Sequence, residues 1–482
     1  MNDTGIGAVT LPKQENERAR QAVRDLREEL GIDAALQTYR PHLWSTLHKD
    51  FPVLHLEDVT GIPFLQDIAG ITQYQHRARV RASQGDLFAA SSEPVIGYEE
   101  YCQQHLGLGA PEFLRVEPVA NPMAIAQACA RGTTLDTLAA RARAAGGLVV
   151  HPYMSIDDVW TLAKTIATAA GVPVSVVGPP PPVLWLANDK SLLSEVVNRV
   201  LGQDWLVETQ RATNPESITA HILAFAARHP WVGLKRTRCA SAMGNIVFES
   251  ATLLARPRSE VEALVRAFLH RTEWCDGEEV LVVEWAITDL SPSTQLWLPP
   301  LGDGPPLLEG VYEQLLTGPE KIFVGSRPSL LPAAVNAQLA HGSLELAAAL
   351  QQLGYVGRCS FDFIVLGDVH GDFSIRFTEC NGRWGGTSTP MHLVDRLVKG
   401  PRPAYIAKDF FLPQSHVGIS FVEFIKALGD ELYDPKTGQG RFIFYNVGPV
   451  QEIGKLDLIA LGKTPQDAQE GIDVVLGQRL GY

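Results

Sequence analysis

A chain of 482 residues with 45% hydrophobic content is long enough for two or three domains, each with its own core. Its formal charge of −13 and the lack of a polybasic run argue against a nucleic acid or an anionic membrane as partner. Six cysteines (Cys102, Cys129, Cys239, Cys275, Cys359, Cys380) include no C-x-x-C pair, which indicates neither a zinc site nor a disulfide framework. The first ten residues lack a secretory apolar core and no apolar run approaches the roughly 20 residues of a membrane span, so the expected compartment is the cytoplasm.

Residues 13–30 are charged with helical spacing. Residues 147–151, 156–170 and 172–177 read as strand, helix and strand, a βαβ unit that predicts a parallel sheet. No G-x-G-x-x-G accompanies it, so no dinucleotide is expected. Gly178 and the four prolines after it predict a stiff extended break and a domain boundary near residue 185. A helix is expected over 191–201, a short strand over 231–235, a loop of small residues over 237–245 (TRCASAMGN), and an apolar strand over 279–287 interrupted by Glu284. Residues 289–327, rich in Pro, Gly and Leu, read as a long loop, an insertion or a substrate-side segment. An Ala/Leu helix over 332–353 stops at Gly354.

Two strands, 360–366 and 373–381, then form a hairpin around a Gly/Asp turn. After residue 401 come strands over 442–447 and 456–461 and a helix over 465–476. Gly462-Lys463-Thr464 mimics the end of a P-loop, but Asp457 stands where that pattern needs glycine. Thr464 with Asp467 reads as a helix cap instead.

The hairpin carries the chemistry. Glu379 and Asn381 are two apart on one strand, so they share a face, and Asp362 on the other arm lies roughly opposite. Two carboxylates and an amide oxygen suit Mg²⁺, a hard cation commonly held by one or two carboxylates and the phosphates of a nucleotide. Arg383, two residues on, adds a guanidinium. Cys380 alternates to the other face and reads as a buried core thiol.

The order carboxylate, loop, Glu379-x-Asn381-x-Arg383 resembles the metal-binding hairpin of the ATP-grasp superfamily. That resemblance implies further parts upstream, and matching residues stand in order. Leu186-Ala187-Asn188-Asp189-Lys190 is similar to the family's Asp-Lys motif, which makes Lys190 a phosphate contact. Lys235 ends a short strand and matches the second lysine. The 237–245 loop, with Ser241 and the single glycine Gly244 where relatives often carry several, matches the flexible phosphate loop. Glu284 matches the acid beside the adenine hinge.

With its tail, GKLDLIALGKTPQDA, the chain looks most like pheganomycin-type peptide ligases with a pre-ATP-grasp domain. The implied architecture is α/β and α+β: a Rossmann-like pre-ATP-grasp domain over 1–185, a two-lobed ATP-grasp core over 186–400 and a small C-terminal α/β unit over 401–482. The implied activity is ATP- and Mg²⁺-dependent joining of a small-molecule carboxylate and an amine through an acylphosphate. In it Arg383 and Lys235 would be catalytic, Lys190, Lys235, Ser241, Gly244 and Glu284 would surround ATP, and Asp362, Glu379 and Asn381 would hold the metal. A kinase or carboxylase built on the same clamp, a non-catalytic nucleotide-binding protein, and a homo-oligomeric state all stay open at this point.

Overall fold

The structure is a computed structural model and describes residues 13–65, 68, 70–239 and 243–481. Three sheets organise it. The first is parallel, with β1 (Val53–Leu56), β2 (Leu87–Ala90), β3 (Glu112–Arg115), β4 (Leu148–Pro152) and β5 (Val174–Val176) in the order β3-β2-β1-β4-β5. Its central strands are apolar and covered by helices such as Asp157–Ala170, as a parallel sheet buried on both faces requires. The run of prolines departs from the expected stiff break. Pro180 is extended, but Pro181 opens the helix Pro181–Asn188, because proline's missing N–H costs nothing in a first turn.

The second sheet is antiparallel, β6 (Thr209–Ala212), β7 (Trp231–Arg236), β8 (Asn245–Glu249) and β9 (Val280–Glu284), ordered β6-β9-β7-β8. It has a separate core that includes Ile218, Phe225, Val232, Phe268 and Val282.

The third sheet has eight strands: β10 (Pro292–Leu298), β11 (Leu307–Thr317), β12 (Ile322–Pro328), β13 (Gly357–Gly367), β14 (Phe373–Asn381), β15 (Ala404–Phe411), β16 (Phe442–Asn446) and β17 (Lys455–Gly462). Their order is β14-β13-β10-β11-β12-β15-β17-β16. The expectation of a long loop over 289–327 is therefore corrected. The segment supplies three neighbouring strands in the middle of this sheet, and its Pro and Gly residues concentrate in the turns at 299–306 and 318–321. What read as loop composition was the punctuation between strands.

On β13, Cys359, Phe361, Phe363 and Val365 alternate into a core shared with the helices Lys190–Val200 and Ala333–Gln352, while Asp362 takes the opposite face. Phe361 is fully buried, edge-on to Phe377 at 6.2 Å. Phe361→Ala is expected to cost about 3–5 kcal/mol in chemical denaturation, the usual range for a buried aromatic lost from a core. A loss below about 1 kcal/mol would show that the hairpin is not anchored there.

The strands β15 to β17 pack against residues near Tyr98 and Tyr101, whose hydroxyls bond the backbone of Tyr445 and Phe444 at 3.0 and 3.1 Å. The helix expected over 465–476 runs as Pro465–Glu470, a π-helical turn Gly471–Val475, and Leu476–Leu480, with Thr464 Oγ1 accepting from Asp467 N at its start. Among the described residues no helix is long and apolar enough to cross a membrane.

Candidate active site

The hairpin positions its polar residues by a bulge. Asp362 pairs with Glu379 but Phe363 pairs with Phe377, so Thr378 is an extra residue on β14. Before the bulge Ile375 and Phe377 face the core; after it Cys380 does, at 7% exposure. Thr378 thus resets the alternation, and Glu379 and Asn381 turn to the other face. Asn381 Nδ2 donates to Asp362 Oδ2 at 2.9 Å.

That face looks onto a cleft between the second and third sheets. Lys190, Lys235, Gly244, Glu284, Asp362 and Glu379 all line it, although 189 residues separate the first from the last. Lys190 is held there by capping. Asp189 accepts from the backbone of Ser191 and Leu192 to start the helix Lys190–Val200, and its carboxylate also takes Arg238 Nε at 2.9 Å. Lys190 Nζ then reaches Glu379 at 2.9 Å and Cys239 O at 2.8 Å. Lys235, near the end of β7, lies over the Trp285 ring at 4.9 Å. Glu284 ends β9 with His229 Nδ1 at 3.7 Å.

Ser241 falls outside the described residues. Arg383 and Asn381 are not among the residues that line the large cleft. Asn381 stands behind Asp362, and Arg383 lines two smaller cavities beyond the hairpin's end.

Charge within the site is unevenly distributed. Burial, and next the Glu379 charge, pushes the Asp362 carboxyl up to about 7. Burial also pushes Glu379 upward, but Lys190, Lys235 and Arg383 outweigh it and hold Glu379 below its ordinary value. Desolvation, with Lys190's charge adding to it and Glu379's opposing it, lowers Lys235 to about 8. Asp362 Oδ1 is buried with no hydrogen-bond partner. Because the Asn381 nitrogen is spent on Asp362, its carbonyl oxygen remains an acceptor.

An oxygen-only donor set with one orphaned carboxylate oxygen fits a hard divalent cation. Among the described residues, no group of three or more His, Cys, Asp or Glu side chains is placed to hold a metal ion, so any site here needs the Asn381 amide and external oxygens.

Several residues in the site carried no role in the sequence reading. Asn188 is the most connected. Its Oδ1 accepts from Arg383 Nη1 at 2.7 Å and from Gly382 N at 3.1 Å, which ties the Asp-Lys segment to the end of the hairpin. A Cβ on Gly382 would come within 2.6 Å of Asn188 Nδ2, so glycine is required for this approach. Its position directly before Asp189-Lys190 was the available signal. Trp285, next to Glu284, was similarly adjacent to a residue already marked.

Residues 75–168 match a family model described as the pre ATP-grasp domain. The N5-carboxyaminoimidazole ribonucleotide synthetase purK, solved as its ADP complex, is similar over 90% of this chain and 99% of that one, with a TM-score of 0.53 and 13% identity. The chain has the ATP-grasp fold.

Carboxyaminoimidazole ribonucleotide synthase from Aspergillus clavatus, complexed with ATP, matches this chain over 90% of its length and 98% of that chain, at a TM-score of 0.52 and 13% identity. Biotin carboxylase from Campylobacter jejuni matches over 86% and 88%, at 0.50 and 13%. No curated protein matches the chain. In this fold the parallel sheet comes first and the two antiparallel sheets follow it, with the cleft between those two.

Proposed function

We propose that this protein is an ATP-dependent carboxylate–amine ligase. An acid would attack the γ-phosphate of ATP to give an acylphosphate and ADP, and an amine would then displace phosphate to leave an amide. The observation that carries the reading is the convergence of Lys190, Lys235, Asp362 and Glu379 in one cleft beside an arginine oriented by Asn188.

Phosphoryl transfer depends chiefly on positioning and charge stabilisation, and these residue types supply both. Lys190 and Lys235 would neutralise phosphate charge, while Gly244 and the hinge after Glu284 would bound the nucleotide. Asp362, Glu379 and Asn381 would hold Mg²⁺, which supplies charge neutralisation across the phosphates when bound. Arg383 carries a planar fork suited to a carboxylate or acylphosphate. The small residues of the 237–245 loop would let it close and keep water from the acylphosphate.

The ADP and ATP complexes among the structural neighbours support a nucleotide in this cleft. We further propose amino acids or a small natural-product acid as substrates, in line with the pheganomycin-type resemblance, a cytoplasmic setting, and no nucleic-acid or membrane partner. Adenine and phosphates would bind within the 186–400 core, with 1–185 and 401–482 flanking it.

The test is ADP release by the purified chain with Mg²⁺ and pooled amino acids, followed by mass spectrometry of the product. Amine-dependent release supports a ligase. Release with an acid alone indicates a kinase, release with bicarbonate a carboxylase, and nucleotide binding without turnover over a broad amine panel a non-catalytic protein.

Lys235 gives a pH prediction. Its folded pKa of about 8 lies below the ordinary lysine value of 10.5, so between those values the unfolded chain binds the extra proton and this group's contribution to the stability of the free protein rises with pH. A phosphate arriving beside the amine favours the charged form and reverses that release. Nucleotide binding at about pH 9 is therefore expected to take up close to one proton, seen as a buffer-dependent binding enthalpy. Lys235→Met should abolish the buffer dependence, and uptake unchanged in that variant would remove Lys235 from the phosphate site.

A further inference from the structure

A second chamber adjoins the nucleotide cleft, and the linings of the two share only Lys190, Val207, Lys235 and Thr378. It holds about 140 Å³ of space, close to the roughly 150 Å³ of a cavity that takes up benzene. The ligase reading gives this space no role.

Its floor follows from strand register. Arg211 on β6 stands opposite Leu281 on β9, which stands opposite Lys235 on β7, so the three share one face of the second sheet. Thr209 and Val283 form the next row on that face. Val280 and Val282 alternate away from them into the core beneath the helices Pro215–Ala226 and Arg258–Arg271, which leaves Leu281 and Val283 to the chamber. The facing wall is the helix Lys190–Val200, where Ser191, Ser194, Glu195 and Asn198 follow at helical spacing along one side. A backbone bridge between Leu206 and Phe377 adds two more apolar side chains to the lining.

Charge here is one-sided. In a chain whose net charge is −13, three cations line the chamber, and among the described residues Glu195 is its only acid. Glu195 is already engaged, accepting from Arg199 Nε at 2.7 Å. Lys190 is neutralised by Glu379, and Lys235 lies over the Trp285 ring. Arg211 has the most to give. Its Nη2 donates to Ser191 O at 3.1 Å, which holds the guanidinium between β6 and the helix, while its Nε meets Glu279 only at 3.9 Å, too far for a hydrogen bond. Nη1 is left to a ligand. Pockets for small molecules pair an apolar lining with a few placed polar groups, and this chamber has both.

We propose that this chamber binds a compact carboxylic acid with an apolar body, its ring or branched chain against Leu206, Leu281, Val283 and Phe377 and its carboxylate on Arg211. The site goes beyond the ligase reading, since it requires neither nucleotide nor turnover. The two shared lysines nevertheless link it to the cleft. A second anion beside Lys190 and Lys235 draws on the same positive field as a phosphate, so acid and nucleotide weaken each other's binding by one common factor.

The test is calorimetric titration of the full chain with benzoate at constant ionic strength, with acetate and benzamide as controls that lack the apolar body and the charge respectively. Saturable benzoate binding is expected, at least about tenfold tighter than either control. Arg211→Gln should weaken it about tenfold, and Thr209→Trp, which fills the chamber from an exposed position on an edge strand, should abolish it. Neither residue lines the nucleotide cleft, so both variants should keep the parent's circular dichroism and ADP affinity. As benzoate is added, the ADP dissociation constant should rise only to a plateau, the mark of two separate chambers. A rise without limit would place benzoate among the phosphate contacts and overturn the proposal. Absence of saturable benzoate binding, controls that bind equally well, or an affinity unchanged in Arg211→Gln would overturn it too. A parent that binds benzoate but no ADP would sink the nucleotide reading and leave this one standing.

Discussion

Glu379→Gln is expected to lower ADP release by about two to three orders of magnitude, the loss seen when one strong electrostatic contact to a developing charge is removed. Glutamine keeps the shape and an acceptor for Lys190, whose amine lies 2.9 Å from the carboxylate, so the folded chain should survive with its circular dichroism and melting temperature close to those of the parent. What changes is charge. Glu379 is the carboxylate that burial fails to neutralise, because Lys190, Lys235 and Arg383 hold it ionised, whereas its neighbour Asp362 is pushed up to about 7.

Removing Glu379 therefore takes away the firmest negative charge at the proposed metal site, and with it a main cause of the raised Asp362 value. A discriminating readout is nucleotide affinity with and without Mg²⁺. If Glu379 serves the metal, the variant loses the Mg²⁺-dependent part of ATP binding and keeps the rest. If it only restrains Lys190, both fall together. Turnover within about threefold of the parent would show that this carboxylate is not part of the chemistry.

The hairpin was readable in advance because its information is local. Phe361 and Phe363 alternate with Asp362 on one arm, and the spacing of Glu379 and Asn381 sets their shared face within three residues. The bulge at Thr378 was not readable, since an inserted residue leaves no mark on composition. It nevertheless decides that Phe377 and Cys380 share the core. Residues 289–327 failed for a different reason. Their strands are separated by Pro- and Gly-rich turns, and a window averaged over both reads as loop, although Leu296, Leu298 and Tyr312 are fully buried. Only the pairing with β13 and β15 makes them central strands.

Long-range hydrogen bonds were the least legible feature. Asn188 and Arg383 are 195 residues apart, and nothing in either local sequence requires that one orient the other. The same holds for the chamber between the helix Lys190–Val200 and the face of β6 and β9. Residue types at a site can be inferred from a motif, but which partner fixes each side chain depends on how separate sheets pack.

Arg383→Ala is expected to separate catalysis from nucleotide binding. The side chain is absent from the lining of the large cleft, so the ATP dissociation constant should stay within about threefold of the parent. Turnover should fall by about 10² to 10³ if, as proposed, the guanidinium meets charge developing on the acid or acylphosphate. Asn188 holds Nη1 and Gly382 N at once, so the truncation leaves the Asn188–Gly382 bond intact and the end of the hairpin in register.

Arg383→Lys should recover only part of the activity, since a single ammonium cannot reach Asn188 and a substrate oxygen together with the geometry of the planar fork. A third variant, Asn188→Ala, keeps the guanidinium but frees it to rotate, and its expected effect is a smaller loss of turnover with the same near-constant ATP affinity. Should Arg383→Ala instead weaken ATP binding in proportion to its loss of turnover, the arginine would be a phosphate ligand, and the acid would have to be held by other groups along the seam between the parallel sheet and the hairpin.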